Sequence, residues 1–397
     1  MSERVEWPKE VGGSEPVEIP EVVALPADAT IAPATAAEIR GRRKWPLPKL
    51  AVPNAPLLEV RDLQTHFRLR NGWVRAVDGV SFGLADGEAL GLAGESACGK
   101  TTTALSLMKL LPGNGRIRGG SVELFGIDLV PKSEVAMQRY RWREISIVFQ
   151  GAMNALNPVI RVRDQIAEPI RYRLGQPEET ARHGAVELLD MVGIPRKRSG
   201  AYPHELSGGM RQRAMIAMAL ACDPAIVIGD EPTTALDVMV QAQILELLER
   251  LRRDLGLSMI LITHDLSVIA ETCDRVLVMY AGKVAEEGPV KRVFTAPRHP
   301  YTRKLVGSFP NLHADRRTLD VIQGQPPDLL DPPPGCRFAP RCEFAMPVCT
   351  EVVPPEVRFS DGVRVVCHLF PKSDIETVSA APPAAAPASD GPSPMPA

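Results

Sequence analysis

The stretch from Glu88 to Gly94, EALGLAG, is a short apolar run that ends in glycine; ESACGK follows, then TTTALSLMKLL. The first part reads as a buried strand. The last puts Ala104, Leu107, Met108 and Leu111 on one helical face. Between them, Gly94 and Gly99 bracket four residues and Lys100-Thr101 follow, the G-x-x-x-x-G-K-[ST] spacing in the strand–loop–helix context that gives it meaning. Glycines let backbone wrap an anion, the N–H groups of Glu95, Ser96, Ala97 and Cys98 turn inward, and the helix N-terminus adds its positive end. Lys100 is placed to neutralise β- and γ-phosphates, and Thr101 to offer a hydroxyl to Mg²⁺, with Thr102 beside it in the first helical turn. Ala97 stands where such loops usually carry glycine. If that position is left-handed, the strain is about 1 kcal/mol. Cys98 reads as a space-filler; a thiol lowered in pKa by the helix N-terminus is the lesser alternative.

A chain holding this unit must supply neighbouring strands for it. AIVIGDE (225–231), MILITHD (259–265) and RVLVMY (275–280) are compact apolar runs. Helical segments separate them, such as residues 241–256, where Ile244, Leu247, Leu248 and Leu251 share a face. Strands alternating with helices predict a mostly parallel sheet covered on both sides. Residues 57–67, LLEVRDLQTHF, alternate as an additional strand. Residues 1–55 and 373–397 are rich in Pro and Ala without periodicity and are expected to be disordered. No apolar run is long enough to span a membrane and no secretion signal opens the chain, so it is expected to stay in the cytoplasm. The charge is balanced, 46 basic against 48 acidic residues, which argues against a general nucleic-acid binder.

Downstream, LSGGMRQR (206–213) precedes a helix, Asp230-Glu231 end an apolar run, His264 follows another, and Gln150 closes ISIVFQ. In this order the motifs resemble the ATP-binding cassette family, the nucleotide-binding subunits of ABC transporters, from about Leu57 to Gly288. The fold implied is α/β: a P-loop NTPase domain (56–288) with a mostly parallel sheet, an antiparallel β subdomain and a helical signature subdomain. The resemblance implies that Asp230 holds Mg²⁺ with Thr101 and Gln150, that Glu231 is the general base, and that His264 contacts the γ-phosphate. It gives Ser207, Gly208 and Gly209 the ATP of an opposite subunit, Asp237 the dimer seam, and Phe67 the adenine ring, with Trp73 as the alternative. ATP then closes a pair of cassettes and hydrolysis releases it. With no membrane span of its own, the chain needs two permease subunits, a second ATPase that is a paralogue or a second copy, and an external binding protein, at the cytoplasmic face of the membrane. The stretch after Gln150, residues 151–170, is the region that receives a permease helix; from the residues alone it is a helix-to-loop segment with a proline stop.

HPYT (299–302), with FQGAMNALNPV and DEPTTALDV, resembles the oligopeptide, dipeptide and nickel importer group, which makes residues 289–372 its C-terminal extension. There Cys336, Cys342, Cys349 and Cys367 gather in a short Pro-rich stretch that lacks the apolar periodicity to hold itself. In a reducing compartment, metal comes before disulfides. The spacing fits zinc or an iron–sulfur cluster equally. Some ATPases of the resembled group carry a [4Fe–4S] cluster on matching cysteines, which favours the cluster, with zinc open. Cys222 and Cys273 read as packing residues. The rivals to a peptide importer are a related nickel, opine or sugar importer, a cassette ATPase that clamps DNA, and an ATP-gated scaffold. Against the DNA reading, only about a hundred residues separate Gly94 from Ser207 and no heptad run intervenes.

Overall fold

The computed structural model describes residues 56–308 and 322–370, except 150, 152–154 and 235. The arm 1–55, the tail 373–397 and Gln150 lie outside the described residues. In chain order the strands are β1 (Leu58–Leu69), β2 (Gly72–Leu84), β3 (Ala89–Ala93), β4 (Gly115–Leu124), β5 (Ile127–Asp128) and β6 (Ile145–Val148). They continue as β7 (Ile226–Asp230), β8 (Ser258–Ile262), β9 (Arg275–Tyr280), β10 (Lys283–Pro289), β11 (Glu356–Arg358) and β12 (Arg364–Val366). The helices are α1 (Lys100–Leu107), α2 (Glu134–Met137), α3 (Val162–Leu174), α4 (Glu178–Met191), α5 (Gly208–Ala219), α6 (Val238–Leu255), α7 (Leu266–Thr272), α8 (Val290–Thr295), α9 (Pro300–Gly307) and α10 (Pro347–Glu351).

The apolar runs form the centre of one large sheet, ordered β11-β12-β10-β9-β3-β8-β7-β6. From β9 to β6 the neighbours are parallel, while β10, β12 and β11 add antiparallel strands at one side. Side chains alternate across it. Ala89, Ala93, Val227, Met259, Leu261, Val276 and Val278 join the core on one face, with the buried Ile244, Leu247, Leu248 and Leu251 of α6. Leu90, Leu92, Ile226, Ile228, Ile260, Ile262, Leu277 and Met279 face the other way, toward the first sheet. That sheet is antiparallel, ordered β2-β1-β4-β5, and is the expected β subdomain. Parallel register carries the strand ends to one level: Leu92 of β3 and Asp230 of β7 both lie opposite Ile262 of β8. The phosphate-loop candidate and the Asp230-Glu231 pair therefore leave the same edge, where open α/β sheets bind ligands.

Local signals set the helix ends. Asp237 caps α6, its carboxylate accepting from the Val240 N–H at 3.0 Å, and Gly256 closes the helix at φ 64°. Two expectations need correction. Helix α1 stops at Leu107 although the apolar spacing runs to Leu111, because the chain turns through Lys109 at φ 50°. There the Lys109 ammonium satisfies the Val130 carbonyl at 2.7 Å and the Lys132 carbonyl. Proline does not stop α3: Pro169 sits inside it and the helix continues to Leu174. The lost bond is offset by burial of Val162, Ile166, Ala167 and Ile170 on one face.

The C-terminal residues do not stand apart as a separate module. Strand β12 pairs with β10, placing Arg364 opposite Glu287. Arg364 and Arg275 both pair with Glu287, and Arg275 also with Glu88 at 2.7 Å, so these charges balance inside the sheet. HPYT opens α9: the His299 Nδ1 accepts from the Tyr301 N–H at 3.0 Å, and Pro300 takes the first helical position. The Tyr301 ring is fully buried, with ring centroids 4.6 Å from Tyr280 and 5.4 Å from Phe338.

Burial lowers the His299 imidazole from 6.5 to about 3, in keeping with a ring nitrogen that must stay an acceptor. A group depressed on folding contributes stability above its unfolded value and loses it as pH falls. Between pH 7 and pH 5 the protein should lose about 2 kcal/mol through this residue. His299→Asn, which keeps a capping acceptor, should show a correspondingly shallower slope in urea unfolding. An unchanged slope would mean that His299 is not buried neutral.

Candidate functional site

Strand β3 is buried along its whole length and delivers Gly94 to the sheet edge. The loop is pressed against the body of the protein on both sides. A Cβ on Gly94 (φ 145°) would stand 2.2 Å from the Met279 carbonyl oxygen of β9. One on Gly99 (φ 108°) would stand 2.4 Å from the Ala76 carbonyl oxygen of β2. Only glycine satisfies both the torsion and the approach. The expected departure is present: Ala97 is left-handed at φ 63°. Ser96, Ala97 and Thr101 are exposed at the rim of the loop, while Cys98 is buried. Burial raises the Cys98 thiol, which makes it a packing group and sets aside the activated-thiol alternative.

Lys100 folds back over the loop. Its ammonium donates to the carbonyls of Gly94 at 2.7 Å and Glu95 at 2.9 Å. Thr101 Oγ1 donates to Asp230 Oδ1 at 3.1 Å, joining the loop to the end of β7. Asp230 is nearly buried, and burial holds its carboxyl above the usual range, with the Thr101 hydroxyl pulling the other way. A buried carboxylate beside a hydroxyl is an all-oxygen donor set, which suits Mg²⁺. Glu231 follows in a left-handed conformation, φ 48°, unusual for a residue with a side chain. Its N–H donates to the Ile262 carbonyl at 2.8 Å, its Oε2 accepts from Thr234 Oγ1 at 2.9 Å, and its Oε1 lies 3.5 Å from His264 Nδ1. The strained residue thus holds its carboxylate between Thr234 and His264.

Ser207 caps α5, its Oγ accepting from the Met210 N–H at 3.3 Å, so Gly208 and Gly209 form the helix's first turn. A Cβ on Gly209 would meet Val240 Cγ1 at 2.7 Å, and Val240 is the residue whose N–H Asp237 caps. The SGGM segment and Asp237 therefore lie together at the joined starts of α5 and α6.

Residues 77–234 match the ABC transporter family, and residues 285–349 match the oligopeptide/dipeptide transporter C-terminal region. A protein of Brucella melitensis biotype 1, provisionally named a peptide import ATP-binding protein, is 50% identical over 314 residues, covering 76% of this chain and 93% of its own. A second protein of that bacterium with the same provisional description is 49% identical over 307 residues, covering 77% and 92%. Among solved structures, a dimeric ATP-binding cassette in a post-hydrolysis state with ADP and phosphate superposes with a TM-score of 0.53 at 26% identity, covering 59% of this chain and 98% of that one. The chain belongs to the ABC transporter family.

Two predicted elements of this ABC protein sit less simply. Phe67 lies on β1 with its ring over Gly115, where an added Cβ would be 2.9 Å from the ring edge. Trp73, the alternative, stacks under the Arg118 guanidinium, 4.9 Å from its centroid. Cys336, Cys342, Cys349 and Cys367 converge on one enclosed cavity, also lined by His299, Phe338 and His368. Burial raises the thiols of Cys342 to about 11 and Cys367 to about 12. Among the described residues no three His, Cys, Asp or Glu side chains are grouped closely enough to hold a metal ion, so the expected zinc or iron–sulfur site is not visible as such. Cys222 and Cys273 are buried packing residues.

Sequence reasoning missed two contacts of the loop with the C-terminal region and a third made beside it. The Tyr301 hydroxyl accepts from the Glu95 N–H at 2.8 Å. Arg341 pairs with the Glu95 carboxylate at 2.7 and 2.9 Å. Arg337 pairs with Asp78 and the Ala281 carbonyl. The available signal was an arginine beside each of the first two cysteines of the cluster.

Replacing Ala97 by glycine should relieve the left-handed strain and raise stability by about 1 kcal/mol in urea unfolding. A loss of stability instead would show that Ala97 is not left-handed in solution.

Proposed function

We propose that this chain is the ATP-hydrolysing subunit of a peptide importer. The observation that carries it is the single sheet edge where the Gly94–Thr102 loop, Asp230 and Glu231 meet, in a chain half identical to peptide import ATP-binding proteins. The loop N–H groups and Lys100 bind the triphosphate, and Thr101 and Asp230, with Gln150, are the residues that would hold Mg²⁺. The ion, when bound, neutralises charge developing on the β- and γ-phosphate oxygens. Glu231 takes a proton from the attacking water, and His264, 3.5 Å from Glu231, steadies that carboxylate and faces the γ-phosphate. Phe67 stacks on adenine with the ring face that Gly115 leaves free.

Ser207, Gly208 and Gly209 form a capped helix start, exposed at Ser207, which suits the phosphates of a second subunit's ATP, with Asp237 at the seam. The dimeric form of the similar cassette supports this reading. Among the described residues no helix is long and apolar enough to cross a membrane. The work of ATP is therefore done on two permease subunits at the cytoplasmic face, fed by an external binding protein. The second ATPase is a paralogue or a second copy of this chain. Transport of nickel, opine or sugar by the same machinery is the alternative outcome, decided by the ligand the associated binding protein retains when the assembly is purified.

Glu231→Gln should lower steady ATP hydrolysis by about 10²- to 10⁴-fold while ATP-dependent dimerisation persists. Undiminished turnover would remove Glu231 from the chemistry.

The four cysteines carry a [4Fe–4S] cluster in this reading. Four thiols line one enclosed space, and cysteine thiolates are the donors such a cluster takes. Anaerobic purification should yield iron and sulfide in stoichiometric amounts; stoichiometric zinc without iron would defeat the cluster.

A further inference from the structure

Glu95, the second residue of the phosphate loop, is held at three points. Its carbonyl accepts from the Lys100 ammonium at 2.9 Å. Its N–H donates to the hydroxyl of the fully buried Tyr301 at 2.8 Å. Its carboxylate receives both terminal nitrogens of Arg341, at 2.7 and 2.9 Å. The last two partners belong to the C-terminal region, 206 and 246 residues away in sequence.

Arg341 is itself fixed. Its side chain is only 5% exposed; it also donates to the Tyr280 hydroxyl at 3.1 Å and to the Gln323 and Ile322 carbonyls at 2.9 and 3.2 Å. A bidentate guanidinium sets the carboxylate's orientation as well as its charge, which a lysine would not. The consequence for the loop is double. With Arg341 absent, a free negative charge would stand on a loop that must bind a triphosphate. The Glu95 backbone would also lose the clamp that fixes the carbonyl on which Lys100 rests.

We infer that Arg341 and Tyr301 are positioning residues of the phosphate loop, through which the C-terminal region sets the affinity for the triphosphate by way of Glu95. This rests on the reading of the loop as an ATP site and extends it to residues outside the ATP-binding domain.

The test uses the full-length chain with Mg-ATP, comparing Arg341→Gln, Glu95→Gln, the double variant, Arg341→Lys and Tyr301→Phe by calorimetric binding and steady-state hydrolysis. Arg341→Gln should weaken ATP binding about tenfold, raising KM while leaving kcat within about twofold. In the Glu95→Gln background the same change should cost little, because the carboxylate it neutralised is gone. Arg341→Lys should fall between. Tyr301→Phe, which removes one oxygen and keeps the packed ring, should raise KM by about threefold while the chain stays folded, its unfolding midpoint lowered by no more than one lost hydrogen bond accounts for. It keeps the test decisive if Arg341→Gln does not fold. Wild-type affinity in Arg341→Gln and Tyr301→Phe would overturn the inference. So would a loss as large in the Glu95→Gln background as in the parent, since Arg341 would then serve only its own segment. Absence of Mg-ATP binding in the unaltered chain would overturn the ATP reading itself, and this inference with it.

Discussion

The phosphate loop has no room of its own: it fits because two glycines let it lie directly against two carbonyls. Gly94 closes on Met279 of the parallel sheet and Gly99 on Ala76 of the antiparallel one, so the loop is wedged where the two sheets meet. That contact fixes the start of α1, which begins at Lys100 immediately after Gly99. It also fixes the height of Thr101, whose hydroxyl meets Asp230 only because β3, β8 and β7 run in register. An anion site built from backbone N–H groups gains from such rigidity, since groups already aimed at the ligand lose little freedom when it arrives.

Rigidity is accompanied by strain at two positions. Ala97 and Glu231 both adopt left-handed torsions without being glycine, at a cost of about 1 kcal/mol each. They bracket the place where the nucleotide's phosphates would sit. Ala97 curls the rim of the loop; Glu231 directs a carboxylate toward His264 while its neighbour Asp230 faces Thr101. Adjacent acidic residues on an ordinary extended strand would also point to opposite faces, but both would remain tied to the sheet's pleat. The turn at Glu231 frees its side chain from that geometry while its N–H stays bonded to Ile262. Burial disfavours the charge on Asp230, and the Thr101 hydroxyl offsets part of that cost.

Much of this was legible in the sequence because it is local. Loop spacing, the apolar run before it, the acidic pair after AIVIG, and the Ile244–Leu251 face of α6 each occupy a few consecutive residues, and each appears where its pattern placed it. The alanine at 97 was readable as a departure, but that the position is left-handed was only a condition in the sequence and is seen in the structure. The failures are of two physical kinds. Tertiary contacts overrode local tendency at the end of α1, where Lys109 turns the chain to satisfy two carbonyls, and at Pro169, where packing carries α3 past a proline. The other kind is long-range pairing. The arginines beside Cys336 and Cys342 mark one end of each pair, but nothing near Glu95 or Asp78 names the other end, because an ion pair across more than two hundred residues leaves no periodic trace. For Cys98, a helix N-terminus alone suggested a lowered thiol pKa, but burial outweighs it.

These long-range pairs determine what the C-terminal region is. Arg337 and Arg341 are both buried, and each reaches a carboxylate of the ATP-binding domain, Asp78 on β2 and Glu95 in the loop. Arg364 does the same for Glu287 from β12. Removing one partner of a buried pair leaves the other charge desolvated and uncompensated, which costs roughly 3–5 kcal/mol. Glu287 keeps Arg275 and Asp78 keeps Lys283 at 3.9 Å, so the group most dependent on this region is Glu95 in the loop, while Tyr301 and Phe338 pack on Tyr280. Arg341 thus brings to Glu95 a guanidinium from beside Cys342, and the loop and the cysteine-bearing segment are joined by that ion pair.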